Sequence, residues 1–597
     1  MQQQDVITPQ QAGTLHGLFL ERVKRSPDKM AYRYFDQNAW CEITWREMHV
    51  EVARWQAALL RENLAVGDRV AIMLRNCPQW VMFEQAAMSL GLVVVPLYVV
   101  DRPDNIAYIL NNADVKVLLF ENAEQWRALR TVIAQLGCVQ RLINLDKLSG
   151  KGEPRLQGVS EWLPPQATLH PERERKRDEM ATIMYTSGTT GKPKGVILSH
   201  HNIVYNASAG LQTFSIYTDD TWLSFLPLSH ALERTVGYYM AMMAGGAVAY
   251  ARSIPLLADD LKIIRPTILV CVPRIFERIY NAIHAKLEVA TPLRHKLFTL
   301  AVNVGWDRFE FQQGRGAWSP KLLLWLVLKH LVADKVMAQL GGRLRLSISG
   351  GAAMPPKVSR LFIALGLPLI QGYGLTETSP VVSVNRVDNN YPASIGTPLP
   401  GIEVRIGEQN ALLVKGPSNM LGYWHNSEAT NAMIDADGWL NTGDTARISE
   451  SGHIYITGRL KEIIVMSNGE KIPPNDMELA ILQEGLFDQV MVFGEGRPYL
   501  VALVVLNSEA WVKFCKELDV MGDEPEALID SRVQAKVLER IAFNLREFPG
   551  YAKINRTLLL QEPWSIENGL LTPTLKVKRA KVVEKYAAQI EDLYEGH

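Results

Sequence analysis

The sequence predicts an α/β protein in which parallel sheets carry helices on both faces, with a small β-rich region and a mixed α+β unit following. Three observations carry this prediction. With 597 residues the chain exceeds what one hydrophobic core serves, so at least two domains are expected. Short apolar runs alternate with helix-length stretches from Thr14 to Ile370, the pattern of parallel strands joined by helical crossovers. From about Val381 to Tyr455 short β runs alternate with Gly/Pro turns, and beyond Gly458 helices and strands mix again.

Taken in order, residues 14–25 place Leu15, Leu18, Phe19 and Val23 at helical spacing. Thr44-Trp-Arg-Glu47 is a capping box that opens a helix to about Leu60. Strands are expected at 69–74, 92–95, 115–120 and 142–145, with helices at 79–90, 104–111 and 123–136 between them. The segment 151–177, Pro-rich and then charge-dense, reads as a solvated connection. Further strands are expected at 181–185, 196–198, 222–225, 247–250, 267–272, 344–348 and 367–370. Asn468-Gly469 signals a hairpin. Strands at 490–493 and 500–506 belong to the last unit, and the domain boundary is expected at 458–461, dividing 1–458 from 459–597.

Composition excludes several functional classes. Lys plus Arg and Asp plus Glu number 63 each, so no net field draws the chain to nucleic acid. The hydrophobic share of 47% and charged share of 21% are those of an ordinary soluble protein. Cysteines 41, 77, 138, 271 and 515 are scattered without metal-binding spacing, which fits a reducing compartment. Residues 1–5 lack the basic start of a signal peptide, and the longest apolar stretches, 240–251 and 322–328, fall short of the ~20 residues of a membrane span. A cytoplasmic protein is expected, at most peripheral on the inner face of the membrane.

The most informative stretch is Met184-Tyr-Thr-Ser-Gly-Thr-Thr-Gly-Lys-Pro-Lys-Gly195, between two apolar runs. Gly188, Gly191 and Gly195 free backbone N–H groups to converge, while Thr186, Ser187, Thr189 and Thr190 add donors and Lys192 and Lys194 add charge. Such a loop suits a polyphosphate, although an ordinary hairpin tip reads similarly. It is not a Walker A loop, because it lacks the Gly-Lys-[Ser/Thr] ending and runs strand to strand.

Further motifs follow in order: Leu226-Pro-Leu-Ser-His-Ala231, Ser349-Gly-Gly-Ala352, Gln371-Gly-Tyr-Gly-Leu-Thr-Glu-Thr378, Thr442-Gly-Asp444, Gly458-Arg-Leu-Lys-Glu462 and Thr572-Pro-Thr-Leu-Lys576. Their order and spacing resemble the adenylate-forming (AMP-binding) superfamily over nearly the whole chain. The resemblance implies a large N-terminal domain of two α/β subdomains plus a β-rich subdomain, and a small mobile C-terminal domain. It implies ATP-dependent activation of a carboxylate to acyl-AMP with loss of pyrophosphate, then displacement of AMP by a thiol.

The resemblance also implies residue roles. Thr186, Ser187, Gly188, Thr189 and Thr190, assisted by Lys194, would hold phosphates, with Thr186 and Glu377 at magnesium. Tyr373 would stack on adenine against Gly350, Gly351 and Ala352, with Gln371, Gly372 and Thr376 lining the nucleotide site. Asp444 would bind the ribose hydroxyls, with Arg459 reaching the ribose or α-phosphate and Lys461 at the hinge. His230 would line the carboxylate end of the acyl site, and Lys576 would be the lysine of adenylation. Read alone, Glu377 is a helix-start carboxylate, Tyr373 a core tyrosine, Thr442-Gly-Asp444 a turn and His230 a structural histidine. Leu575 stands where the family commonly has glycine, the form of the long-chain branch. Lys578 and Arg579 read as surface charges, or as contacts for coenzyme A phosphates.

The insertion 281–339, with Leu322-Leu-Leu-Trp-Leu-Val-Leu328, looks like that of long-chain fatty acyl-CoA synthetases. Its apolar run suits an acyl tunnel, a bilayer contact or a helix buried all round. The expected substrates are therefore a long-chain fatty acid, ATP and coenzyme A, with Mg2+ as cofactor and no nucleic-acid partner. A medium-chain or aromatic acid ligase and a non-catalytic acyl or nucleotide sensor remain the alternatives. The oligomeric state, a homodimer included, is left open.

Overall fold

A computed structural model describes residues 3–146, 148, 152–168, 176–186, 192–460, 462–467, 470–546, 548 and 552–595. Among these, two large sheets enclose a common core. The first runs Gly422–Tyr423, Lys194–Ser199, Met180–Thr186, Val93–Pro96, Arg69–Met73, Val115–Phe120, Arg141–Asn144 and Leu156–Gly158. Its strands are parallel from Met180–Thr186 onward, and the pair that flanks the phosphate motif is antiparallel. The second sheet has Leu369–Gly374, Leu346–Ser349, Ile268–Cys271, Thr221–Ser224 and Ala247–Tyr250 as its parallel centre.

The helices between the sheets explain the burial. Pro78–Ser89 starts on a proline, whose missing N–H costs nothing at that position, and buries Trp80, Val81, Phe83, Glu84 and Gln85. Residues from both sheets share its core, among them Val70 and Val94 on one side and Trp222 and Val248 on the other. A second inner helix continues from a π-helical turn, Glu233–Tyr239, into Met240–Ala244, and Gly245 at φ +80° ends it. The expected capping box is present, since Thr44 Oγ1 accepts from Glu47 N and Thr44 N donates to the Glu47 carboxylate.

A four-stranded antiparallel sheet follows, Glu403–Ile406, Ala411–Lys415, Leu440–Ile448 and Ile454–Arg459. The last unit is built on Leu500–Leu506, an unbroken apolar run with every residue buried, because helices cover both faces of its sheet.

Several expectations are corrected. The strands Met30–Asp36 and Ala39–Thr44, absent from the sequence reading, close one edge of the second sheet. Val381–Val384 and Thr397–Pro398 extend its other edge, and Gly422–Tyr423 joins the first sheet, so the β-rich unit is smaller than the change in pattern suggested. The expected surface connection contains Leu156–Gly158, an edge strand, and the buried Trp162, whose ring meets Trp55 edge-on at 5.7 Å. The expected helix at 123–136 breaks after Arg130. Ile464–Val465 pairs with Lys471–Ile472 as a hairpin, and its tip, Asn468-Gly469, lies outside the described residues.

The apolar run at 322–328 is not one buried helix. It spans a 3-10 turn Pro320–Leu324 and an α turn Trp325–Leu328, and a π turn Lys329–Ala333 follows. Trp325 and Leu328 pack inward with Ala301 and Val304, whereas Leu323, Leu324, Leu326 and Val327 are 61%, 47%, 69% and 59% exposed.

Candidate active site

Several segments converge on one cleft. The phosphate motif is the hairpin between Met180–Thr186 and Lys194–Ser199, in which Thr186 faces Lys194 and its hydroxyl donates to Lys194 O at 3.5 Å. Ser187, Gly188, Thr189 and Thr190, the expected phosphate donors, lie outside the described residues, as does the expected hinge Lys461. Gly195 answers to packing, because a Cβ there would stand 2.7 Å from Ile183 and 3.2 Å from Trp424.

Beside this hairpin, Glu377 sits in the short turn Thr376–Thr378, which follows Gln371-Gly-Tyr-Gly374 out of the second sheet. Its Oε1 accepts from the Tyr423 hydroxyl at 2.8 Å, and Lys194 Nζ lies 5.1 Å from the Tyr423 ring centre. One ring thus links Glu377 to the hairpin 186–194. Tyr423 escapes a sequence reading, since it lies in a two-residue strand whose pairing to 196–197 appears only in three dimensions.

The side expected to take the nucleotide is an ionic and aromatic cluster. Asp444, buried in Leu440–Ile448, accepts from the Tyr373 hydroxyl through one oxygen and from Arg459 Nε at 2.8 Å through the other. Each carboxylate oxygen has a second lone pair, so the cluster orients Asp444 while leaving it acceptor capacity for ribose hydroxyls. Burial, with Asp444 alongside, raises the Tyr373 phenol well above its usual range, so it stays a donor. Gly350 stands between the two walls: a Cβ would meet Leu232 at 3.3 Å and Gly372 O at 3.6 Å. Gly351 takes φ +82°, which a side chain disfavours, and Gly351 and Ala352 are exposed. The Gln371 amide is committed elsewhere, accepting from Met354 N at 2.9 Å and donating to Pro392 O, so its contribution here is to shape the backbone.

His230 follows a loop fixed by Asn76, a residue the sequence reading passed over. Asn76 donates to Leu226 O at 2.6 Å and Ser224 Oγ at 2.9 Å, and accepts from Leu228 N at 2.9 Å. His230 Nδ1 accepts from Leu232 N at 3.2 Å, which assigns the ring proton to Nε2. Burial, then the charge of Lys576, pushes its pKa down to about 4, so the ring is neutral at pH 7.

Lys576 reaches this cleft from the last unit. It lies on a tight hairpin in which Lys576 N donates to Thr572 Oγ1 at 3.0 Å and Leu575 adopts φ +62°. The side chain is open to the cleft, yet the surrounding walls desolvate the ammonium and lower its pKa, as does Arg459, against the pull of Asp444, Glu462 and Glu377. Lys576 thus shares one electrostatic neighbourhood with His230, Glu377, Asp444 and Arg459. Arg579, expected as a surface charge, instead bonds Glu478 at 2.5 Å and Val492 O inside the last unit. Lys578 is half-buried near Asp101 and Arg102.

Glu233, one turn beyond His230, is buried beside Ser224. Burial raises its carboxyl to about 8, and its Oε2 has no hydrogen-bond partner among the described residues. Gly237 makes room for it, since a Cβ there would stand 2.3 Å from Oε1.

Comparison with known proteins bears on this arrangement. The AMP-binding enzyme family matches residues 19–424, and the AMP-binding enzyme C-terminal domain matches 461–597. The long-chain-fatty-acid–CoA ligase FadD15 of Mycobacterium bovis is 30% identical over 97% of this chain and 96% of its own length. The long-chain-fatty-acid–CoA ligase 5 of Rattus norvegicus is 31% identical, covering 88% of this chain and 80% of that protein. Among solved structures, the anthranilate CoA ligase AuaEII in complex with anthranoyl-AMP superposes with a TM-score of 0.72 at 18% identity, over 96% of this chain and 97% of that one. ATP-bound MatB from Rhodopseudomonas palustris gives 0.70 at 22% identity, over 98% and 100%.

Proposed function

The chain belongs to the AMP-binding enzyme family, and from that premise we propose that it activates long-chain fatty acids. The acid reacts with ATP to give acyl-AMP and pyrophosphate, and coenzyme A then displaces AMP to give acyl-CoA. The observation that carries this reading is the placement of Lys576 from the last unit in the cleft that holds His230, Glu377 and Asp444.

In this scheme the hairpin 186–194 holds the β- and γ-phosphates, and the Asp444–Arg459–Tyr373 cluster holds the ribose and adenine. The neutral His230 faces the acyl carboxylate, which an imidazolium would instead retain as a tight ion pair. Lys576 neutralises charge building at the α-phosphate and carboxylate. Magnesium takes one or two carboxylates and completes its shell with phosphate oxygens and water. Glu377, oriented by Tyr423, and Thr186 are the groups we assign to it. When bound, the ion would shield the departing pyrophosphate. The domain division is placed at 458/459, with the hinge at Lys461.

The exposed apolar residues between 318 and 331 support a peripheral bilayer contact. Trp318 and Leu331 extend the patch at 59% and 47% exposure, with Lys321 inside it, while Lys329 and His330 at its end pair with Asp334 at 3.9 and 2.6 Å. The likeness to an anthranilate ligase keeps an aromatic acid as the second reading.

Pyrophosphate release from ATP and thioester formation with coenzyme A, measured across acetate, decanoate, palmitate, oleate and benzoate, test the proposal. Higher kcat/KM for palmitate and oleate is expected. Acetate or benzoate at or above palmitate would refute the substrate class, and absence of turnover with every acid would leave a sensor.

A further inference from the structure

The most enclosed charge pair among the described residues links three elements through side chains that the proposed chemistry does not itself use. Arg234, on the turn Glu233–Tyr239, and Glu84, on the helix Pro78–Ser89, are both shut from solvent. Arg234 Nε donates to Glu84 Oε1 at 2.9 Å, and its Nη2 reaches the same oxygen. Its Nη1 donates at 2.8 Å to Thr182 Oγ1, which in turn donates to Val94 O at 2.6 Å. The guanidinium also stands 5.4 Å from the Trp80 ring centre.

The connectivity of these groups matters more than their strength. Thr182 lies in Met180–Thr186, four residues before the start of the phosphate hairpin. Arg234 lies four residues beyond His230, with Arg234 N donating to His230 O at 3.0 Å. Glu84 and Thr182 belong to the subdomain of the first sheet, and the turn bearing Arg234 connects two strands of the second. A second polar rung lies beside it: Gln85 Nε2 donates to the Tyr238 hydroxyl at 2.6 Å, and Gln85 Oε1 faces His16 Nδ1 at 3.3 Å.

Apolar packing alone would hold these elements together, but without direction. Buried ion pairs are poor stabilisers, since apolar residues of similar volume often serve a fold as well or better, and their best-attested use is to fix register. Arginine's rigid fork is suited to such a task, because it can aim at two acceptors on two elements at once.

We propose that Arg234, Glu84 and Thr182 form a positioning device that registers His230, and the turn Glu233–Tyr239 that follows it, against the phosphate hairpin. Adenylation requires the acyl carboxylate, delivered beside His230, to meet the α-phosphate in line, and the hairpin's hold on the β- and γ-phosphates sets where the α-phosphate lies. The second half-reaction has no such need, because the acyl group and AMP are then one covalent molecule. The device therefore acts on the first half-reaction alone. This inference rests on the proposed acyl-activating function.

The test compares the two half-reactions in an Arg234→Met/Glu84→Leu double variant and in the near-isosteric Thr182→Val. Acyl-AMP formation from palmitate, ATP and MgCl2 is expected to fall about 100-fold in the double variant, the cost of roughly an ångström of misplacement, and about tenfold in Thr182→Val. Thioester formation from presynthesised palmitoyl-AMP and coenzyme A should stay within about threefold of wild type in both. Parallel loss in the two half-reactions, as from a loosened fold, overturns the inference, and so does near-wild-type adenylation. If the double variant fails to fold, Thr182→Val decides by the same ratio. A wild type that releases no pyrophosphate with any acid overturns the function as well as the device; an active wild type with parallel losses overturns the device alone.

Discussion

Glu233 offers a direct thermodynamic reading of the acyl side of the cleft. Its carboxyl is fully enclosed, rests against Gly237 and is raised to about 8 from an ordinary 4.5. The unfolded chain therefore releases this proton near pH 4.5, whereas the folded chain keeps it until near pH 8. Between these values the unfolded state binds fewer protons, so stability falls as pH rises, by about 1.4 kcal/mol per unit. From pH 5 to pH 7.5 the loss comes to about 3 kcal/mol, and it levels off above the folded value. Glu233→Gln keeps shape and hydrogen-bonding atoms while removing the titration. Denaturant unfolding of wild type and variant, followed by tryptophan fluorescence at half-unit steps, reads the difference. The variant's advantage should be small at pH 5 and grow by about 3 kcal/mol at pH 7.5. Parallel stability curves across that window would mean that Glu233 is ionised in the folded state, and the reasoning from its burial would fail.

Other expectations concern the cleft and the surface. Lys576→Ala should lose orders of magnitude in acyl-AMP formation, with thioester formation from presynthesised acyl-AMP nearly intact; equal losses in both would move the role to Lys578. Lys461→Pro should show the reverse pattern by restricting backbone rotation at the proposed hinge, and a normal thioester step would remove the hinge from that residue. Glu377→Gln should fold normally and need more MgCl2 to reach half-maximal adenylation, so an unchanged magnesium titration would place the metal elsewhere. Leu323→Glu/Leu326→Glu should abolish flotation with anionic liposomes while sparing turnover of detergent-dispersed oleate; wild type that stays at the bottom of the gradient removes the bilayer contact.

How much of this was legible beforehand depended on where the physics is local. The alternation of strand and helix up to Ile370 was readable because each element has its own periodicity, and the Thr44–Glu47 cap because it closes within four residues. Met30–Asp36 was not, since its burial depends on pairing with Ala247–Tyr250, some 200 residues on, and Ala39–Thr44, which pairs only with Met30–Asp36, has no buried residue to mark one face. At the cleft, the motifs pointed to Glu377, Asp444, Arg459, His230 and Lys576, and folding gathers these residues in one neighbourhood. Tyr423 and Asn76 were missed because their value is relational: one hydroxyl on Glu377, one amide on the loop before His230. Sequence likewise overstated Gln371, whose amide proves committed to backbone partners. The apolar run at 322–328 left burial and exposure equally open, because an all-round apolar stretch carries no periodicity to separate them.

Leu575 has an implication for the chain's mutational history. Holding a leucine at φ +62° costs on the order of 1–2 kcal/mol that glycine would not incur, and at 66% exposure its side chain recovers little by burial. Codon changes at this position therefore face an asymmetric filter. Glycine enters without backbone penalty and asparagine and aspartate with a reduced one, whereas valine, isoleucine and threonine add branching at the carbon that already clashes. Lineages that drift here should move toward small turn-formers and stay clear of β-branched residues, while Lys576, next in the chain, is held by its charge. Two adjacent codons would thus diverge under separate pressures, one set by a torsion angle and the other by electrostatics.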